Sequence, residues 1–118
     1  MNVNFKTKYS LIDRYNESRK ILEKHPDRVP VVCERATSAS RDCPYIDKNK
    51  YLVPRDLTIG QFIYVIRKRM RLQPEKALFL FMNGNIPSST SMLGDLYEYY
   101  RENDGFIYIT YSLENTFG

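Results

Sequence analysis

Apolar and polar positions along the N-terminal part of the chain follow a helical spacing. From Ser10 onward, apolar residues recur along a loose stripe among charged residues. Ser10 can cap this helix, with Asp13 three residues later, and Pro26 disfavours helix at His25 because of its clash with the preceding backbone. The pattern predicts one long helix that ends at His25, with a shorter helical turn over residues 3–8 before it.

The pattern changes to strands after Pro26. Residues 28–34 are rich in β-branched side chains, and residues 50–53 read Lys-Tyr-Leu-Val before Pro54. The stretch over residues 36–47 between them is rich in Ser, Asp and Pro, which is typical of a loop. These features predict a hairpin of two strands with a long connection.

A second helix is predicted to begin at Thr58, because Thr58 and Gln61 have the spacing of a capping box. Apolar residues follow at helical spacing, and cations crowd the last turns, where they suit the negative end of the helix dipole. The apolar positions are Ile59, Phe62, Ile63, Ile66 and Met70.

Two continuous apolar runs in the last third predict buried strands, over residues 77–82 and 106–111. A turn at residues 83–85 closes the first, and residues 103–105 turn into the second. A short helix is predicted between them, over roughly residues 92–101.

The order of elements, a helix, a hairpin, a helix, a strand, a short helix and a strand, is typical of a β-grasp domain. We expect an α+β fold: a four-stranded mixed sheet, a covering helix that begins near Thr58, and two extra N-terminal helices on the other side. Residues 1–26 would form the helical extension and residues 27–112 the β-grasp core. Residues 113–118 would form a flexible tail.

Composition narrows the class of protein. The chain has 118 residues, suited to one domain, and a net charge of +4 that favours acidic partners. No signal peptide and no stretch of the ~20 apolar residues that a membrane span needs can be recognised. Cys33 and Cys43 follow no metal-ligand spacing, and we expect Cys33 buried and Cys43 exposed in a reduced, cytosolic protein. No hydrolase or phosphate-binding motif occurs, so we expect no enzyme activity, no cofactor and no metal.

The chain ends in a polar segment, residues 112–118, directly after an apolar run. Seven extended residues reach roughly 20 Å, enough to carry a terminal carboxylate into another protein's cleft. Gly118 has no Cβ, so its carboxylate suits an acyl donor that is adenylated, passed to a thiolate and delivered to an amine. A chain must also end somewhere, and glycine makes up roughly 7% of average composition, so this residue alone is weak evidence.

Five blocks of the sequence together indicate a known protein family. They are residues 25–32 (HPDRVPVV), 50–54 (KYLVP), 57–62 (LTIGQF), 66–69 (IRKR) and 114–118 (ENTFG). In these blocks the chain closely resembles the ubiquitin-like autophagy modifiers, the family of GABA-A receptor-associated protein and microtubule-associated light chain three. The match covers about residues 5–118, and the last block reads as in the yeast member.

The resemblance implies a modifier that is itself a substrate of conjugation. Gly118 would be joined to the amine of phosphatidylethanolamine by activating and conjugating enzymes, and a cysteine protease would process or release it. The protein would be a monomer that binds no nucleic acid. It would lie in the cytoplasm and, lipid-anchored, on autophagosome and cytoplasmic vesicle membranes.

The resemblance also implies a site for receptor peptides of the pattern aromatic-x-x-aliphatic, which would add a strand to the edge of residues 50–53. Successive side chains of a strand face opposite ways, so this strand would serve two pockets. The aromatic pocket would comprise Glu17, Ile21, Pro30, Val32, Lys50, Leu52 and Phe106. The aliphatic pocket would comprise Tyr51, Val53, Pro54, Leu57, Phe62, Val65 and Ile66. Acidic residues flanking the peptide motif would meet Arg28, Arg67 and Arg69.

Other interpretations of the same residues remain open. Without the resemblance, Phe62 and Ile66 would be plain core. A β-grasp adaptor whose tail is never conjugated would keep the peptide site and lose the chemistry. An RNA-binding module is a remote alternative, because Gly105–Ile109 faintly resembles an aromatic RNA-binding strand but lacks its basic and small residues. The loop over residues 36–47 is about two residues longer than in animal members, and we expect it to be tolerated variation away from the pockets.

Overall fold

Across residues 4–114, the part of the chain that the computed structural model describes, four helices and four strands follow one another in the predicted order. The elements are α1 (Phe5–Lys8), α2 (Leu11–Lys24), β1 (Arg28–Arg35), β2 (Lys50–Pro54), α3 (Ile59–Met70), β3 (Phe79–Phe81), α4 (Leu93–Tyr100) and β4 (Ile107–Ser112). Gly118 and the rest of the predicted tail beyond residue 114 lie outside the described residues.

Local capping chemistry explains where the two long helices begin. The Ser10 hydroxyl accepts a hydrogen bond from the backbone N–H of Asp13 at 3.1 Å, as predicted. At the start of α3 the Thr58 hydroxyl accepts from the Gln61 N–H at 3.1 Å, and the Gln61 side chain accepts from the Thr58 N–H at 2.9 Å. Both caps satisfy backbone donors that the first helical turn leaves free.

The four strands form one mixed sheet in the order β2-β1-β4-β3. β1 is antiparallel to β2 and parallel to β4, and β3 is antiparallel to β4. The predicted hairpin and the four-stranded mixed sheet are therefore confirmed, and β2 lies at an edge. The strand predicted over residues 77–82 is shorter than expected. Only Phe79–Phe81 pair with β4, while Met82 turns back and donates its N–H to the Asn85 carbonyl at 2.8 Å.

Each face of the sheet carries its own apolar cluster. The face under α3 holds the larger one, which includes Val31, Tyr51 and Phe62. The opposite face holds Phe5, Val32 and Phe106, with Ile21 of α2 and Tyr108 packed against them. The N-terminal helices thus cover the face opposite α3, as predicted.

A buried polar network fixes α2 to the turn before β4. The carboxylate of Asp104, 1% exposed, pairs with the Arg14 guanidinium at 2.8 Å and also accepts from the Tyr108 hydroxyl. The Ser18 hydroxyl donates to the Asp104 carbonyl at 2.5 Å. Because these partners come from α2, from the turn and from β4, the network sets the position of α2 on the sheet.

The two cysteines correct one expectation and confirm another. Cys33 is fully buried in β1, as predicted. The prediction that Cys43 is exposed was wrong: only 2% of it is accessible, because the loop folds back and Arg35 donates to the Cys43 carbonyl at 2.9 Å. Burial raises the pKa of both thiols.

The helices of residues 4–114 include none with the length and apolar character needed to cross a bilayer.

Candidate functional site

The free edge of β2 and the alternation along it define the candidate peptide site. Among the strands of the described residues, β2 has a partner on one side only, where β1 pairs with it in antiparallel register. Lys50 lies opposite Val32, and Tyr51 lies opposite Val31. Val32 belongs to the cluster under α2, and Val31 belongs to the cluster under α3. Neighbouring β2 side chains therefore serve opposite faces, which is the division that the sequence predicted.

On the α2 face, the residues predicted for the aromatic pocket form a buried floor with an accessible rim. Val32 and Phe106 are fully buried, whereas Leu52 is 37% exposed. At the rim, the Lys50 ammonium pairs with the Glu17 carboxylate and joins β2 to α2. Pro30 is also buried beside this floor, and Ile21 is half-buried against it.

On the α3 face, the predicted aliphatic pocket divides in the same way. Phe62 and Ile66 are fully buried, as plain core residues would be. Val65 is 38% exposed, and Pro54 and Leu57 are half-buried, so these three can meet a ligand. Val53, 7% exposed, belongs to the wall of the core.

Tyr51 is the unusual member of this pocket. Its ring meets Phe62 edge to face with 5.5 Å between centroids, and only 6% of the residue is exposed. Its buried hydroxyl has no hydrogen-bond partner among the described residues, and burial raises the pKa of this hydroxyl well above its usual range. The sequence did not single out Lys48, whose ammonium lies 5.2 Å from the Tyr51 ring centroid. The position of Lys48 two residues before Lys50 was its only signal.

The three arginines predicted for acidic flanks have different surroundings. Arg69 is exposed and pairs with Asp47 at 2.9 Å. Arg67 donates to the carbonyls of Lys76 at 2.6 Å and Gln73 at 3.0 Å, so its guanidinium already holds the loop after α3. Arg28 is half-buried at the start of β1. A role in peptide binding stays a prediction for all three.

The described root of the tail remains in contact with the body. Ser112 ends β4 and is 3% exposed, and Leu113 packs against the α3-side cluster. The Ser112 hydroxyl donates to the Glu114 carboxylate at 2.8 Å. The tail therefore packs on the body through Leu113, the first residue assigned to it, while Glu114 is exposed and bonded to Ser112.

Comparisons with known proteins agree with this architecture over the whole chain. The profile of the family described as "Autophagy protein Atg8 ubiquitin like" matches residues 13–118. "Autophagy-related protein 8" of Schizosaccharomyces pombe is 52% identical, with 100% of this chain and 96% of that protein covered. "Autophagy-related protein 8c" of Arabidopsis thaliana is 51% identical, with 99% and 97% covered. The crystal structure of Trypanosoma brucei ATG8 superposes with a TM-score of 0.86 at 38% identity and covers 95% of each chain. The chain therefore belongs to the Atg8 family of ubiquitin-like autophagy proteins.

Proposed function

We propose that this autophagy protein is a modifier that is joined through Gly118 to phosphatidylethanolamine and that recruits receptors by binding aromatic-x-x-aliphatic peptides. The observation that carries the proposal is the free edge of β2, whose side chains divide between two apolar faces. The family supports the conjugation half, which needs a terminal glycine.

The chemistry makes the protein a substrate. ATP would adenylate the Gly118 carboxylate with release of pyrophosphate, and a cysteine thiolate of the activating enzyme would then displace AMP. After exchange to a thiol of the conjugating enzyme, the lipid amine would attack the thioester, form an amide and release that thiol. A cysteine protease would hydrolyse the amide and free the protein again.

Conjugation would change where the protein resides. A single acyl chain gives marginal membrane binding, whereas two chains give stable anchoring at ~0.8 kcal/mol per buried methylene. A two-chain lipid would thus hold a cytoplasmic protein on autophagosome and vesicle membranes.

Peptide recognition would combine backbone and side-chain contacts. An extended peptide would pair with the open edge of β2, and its aromatic and aliphatic side chains would enter the pockets on the α2 and α3 faces. Leu52 and Val65 are the accessible apolar residues that could act as anchors, one on each side. Lys50 would steer an acidic flank of the peptide towards this edge.

The conjugation half is tested by incubating the protein with activating and conjugating enzymes, ATP and liposomes that contain phosphatidylethanolamine. We expect a mass increase of one lipid on the C-terminal peptide, and none for Gly118→Ala. If the wild-type chain gains no lipid but still binds peptide, the protein is an unconjugated adaptor.

The peptide half is tested by titrating an acidic-flanked aromatic-x-x-aliphatic peptide. Leu52→Ala and Val65→Ala should each weaken binding by about 1–2 kcal/mol, the cost of truncating an anchor residue. Tyr64→Ala is the matched control, because Tyr64 lies beside Val65 on α3 and is 62% exposed. If Leu52→Ala and Val65→Ala bind the peptide as tightly as Tyr64→Ala, the proposed site is discarded. Both anchors are accessible, so these substitutions disturb the core less than one at Tyr51.

A further inference from the structure

Hydrogen bonds from Arg35, at the end of β1, hold the long loop over residues 36–47 in place. Its guanidinium donates to three loop carbonyls, those of Cys43 at 2.9 Å, Ala39 at 3.2 Å and Ser40 at 2.5 Å. The same group lies 4.7 Å from the centroid of the Tyr45 ring. One side chain thus satisfies carbonyls on both sides of the loop tip and holds the tip against the end of β1.

Tyr111 of β4 is the second residue that holds this loop. Its hydroxyl donates to the Pro44 carbonyl at 2.8 Å and accepts from the Ile46 N–H at 3.0 Å. Tyr111 is fully buried, and it lies opposite Arg35 in the parallel register of β1 and β4. The loop is therefore held by two adjacent strands.

This loop meets the root of the tail. Leu113 packs on the same apolar cluster as Ala39, Cys43 and Ile46. Beyond it, the Glu114 carboxylate accepts from the Ser112 hydroxyl at 2.8 Å, and the nearby Ser40 together with Ser112 holds the pKa of Glu114 below its usual value, while the Ser40 hydroxyl donates to Asp42.

We propose that the loop over residues 36–47 is a seat that fixes the direction in which the C-terminal tail leaves the body, with Tyr111 as the positioning residue. This inference rests on the proposed conjugation. Four residues beyond Glu114 span at most about 14 Å, so the exit direction limits where the terminal carboxylate can reach. An enzyme that binds the body and takes the tail into its active-site cleft must order fewer residues when residues 112–114 are already held in place.

The decisive variant is Tyr111→Phe, because a fully buried side chain cannot touch an enzyme directly. The change removes only the hydroxyl that holds Pro44 and Ile46. Tyr97→Phe is the matched control: Tyr97 is 5% exposed, and its hydroxyl donates to the Gly105 carbonyl at 2.7 Å, a site that involves neither the loop nor the tail root.

Two measurements need no enzyme. In Tyr111→Phe we expect the buried Cys43 thiol to alkylate at least about threefold faster, and the Leu113 and Glu114 amides to lose order in NMR relaxation. If the Leu113 and Glu114 amides are as well ordered in Tyr111→Phe as in the wild type, the loop does not act as a seat for the tail.

The third measurement is the rate of lipid-adduct formation. We expect kcat/KM to fall roughly three- to tenfold for Tyr111→Phe and to stay unchanged for Tyr97→Phe, with peptide affinity unchanged in Tyr111→Phe, because tail positioning affects only transfer. A loosened loop with an unchanged transfer rate would overturn the inference. If the wild-type protein forms no adduct, the proposed conjugation fails, and the order of Leu113 and Glu114 then decides alone whether the seat exists.

Discussion

Gly105→Ala should push α2 away from the sheet and so weaken both the fold and peptide binding. Gly105 has a φ of +83°, and an added Cβ would lie 2.3 Å from the Ser18 hydroxyl oxygen and 3.0 Å from its Cβ. A left-handed conformation costs an L-residue about 1–2 kcal/mol, and forcing extra volume into a packed site costs about 1–3 kcal/mol more. We therefore expect the free energy of unfolding to fall by about 2–5 kcal/mol.

Gly84→Ala separates the two contributions. Gly84 has a φ of +78°, and an added Cβ there would meet no atom within 4 Å. Only the backbone term applies, so we expect a loss of about 1–2 kcal/mol. Urea unfolding of the two variants side by side isolates the contact with Ser18 as the difference between them.

The functional consequence concerns the pocket on the α2 face. Ser18 lies on the same helix as Glu17 and Ile21, and the displaced hydroxyl would lose its bond to the Asp104 carbonyl. We expect the affinity for an aromatic-x-x-aliphatic peptide to fall in Gly105→Ala and to be unchanged in Gly84→Ala. Equal stability losses, with equal peptide affinities, would refute the argument that this turn positions α2.

Three further predictions concern single groups. Tyr51→Phe should raise the free energy of unfolding by about 1 kcal/mol, because it removes a buried hydroxyl that has no hydrogen-bond partner within residues 4–114; a loss in urea unfolding would mean that the hydroxyl is satisfied. Glu17→Gln should free Lys50 and strengthen binding of an acidic-flanked peptide by about two- to fivefold at low salt, and a gain that persists in 1 M salt would contradict this cause. Glu114, whose pKa the nearby Ser40 and Ser112 hold below its ordinary value of 4.5, should keep its hydrogen bond from Ser112 above pH 4.5 and lose it as the pH falls through the lowered pKa. An NMR pH titration of Glu114 checks this, and a midpoint at or above 4.5 would contradict it.

The sequence by itself determined the elements and the faces that they present. Capping residues at Ser10 and Thr58 set the starts of α2 and α3, since a cap acts within one helical turn. Alternation along β2 assigned Leu52 and Tyr51 to opposite faces, because the period of a strand is fixed by its backbone. The resemblance to a known family, carried by Glu114–Gly118 and the other blocks, supplied the ubiquitin-like fold and the autophagy family that the comparisons show.

Only the tertiary structure decided how deeply each side chain is buried and which polar partners it has. Nothing in the spacing of residues 36–47 shows that Cys43 is buried, because its cover comes from Arg35 and Tyr111, which are distant in sequence or lie on another strand. The sequence predicts Arg67 as a contact for acidic residues of a peptide. In the structure its guanidinium already donates to carbonyls of the loop after α3. Strand pairing likewise shortened β3, since a strand exists only where a neighbour offers hydrogen bonds. Short-range patterns fix local conformation, whereas burial and polar partners depend on contacts that form only when distant segments meet.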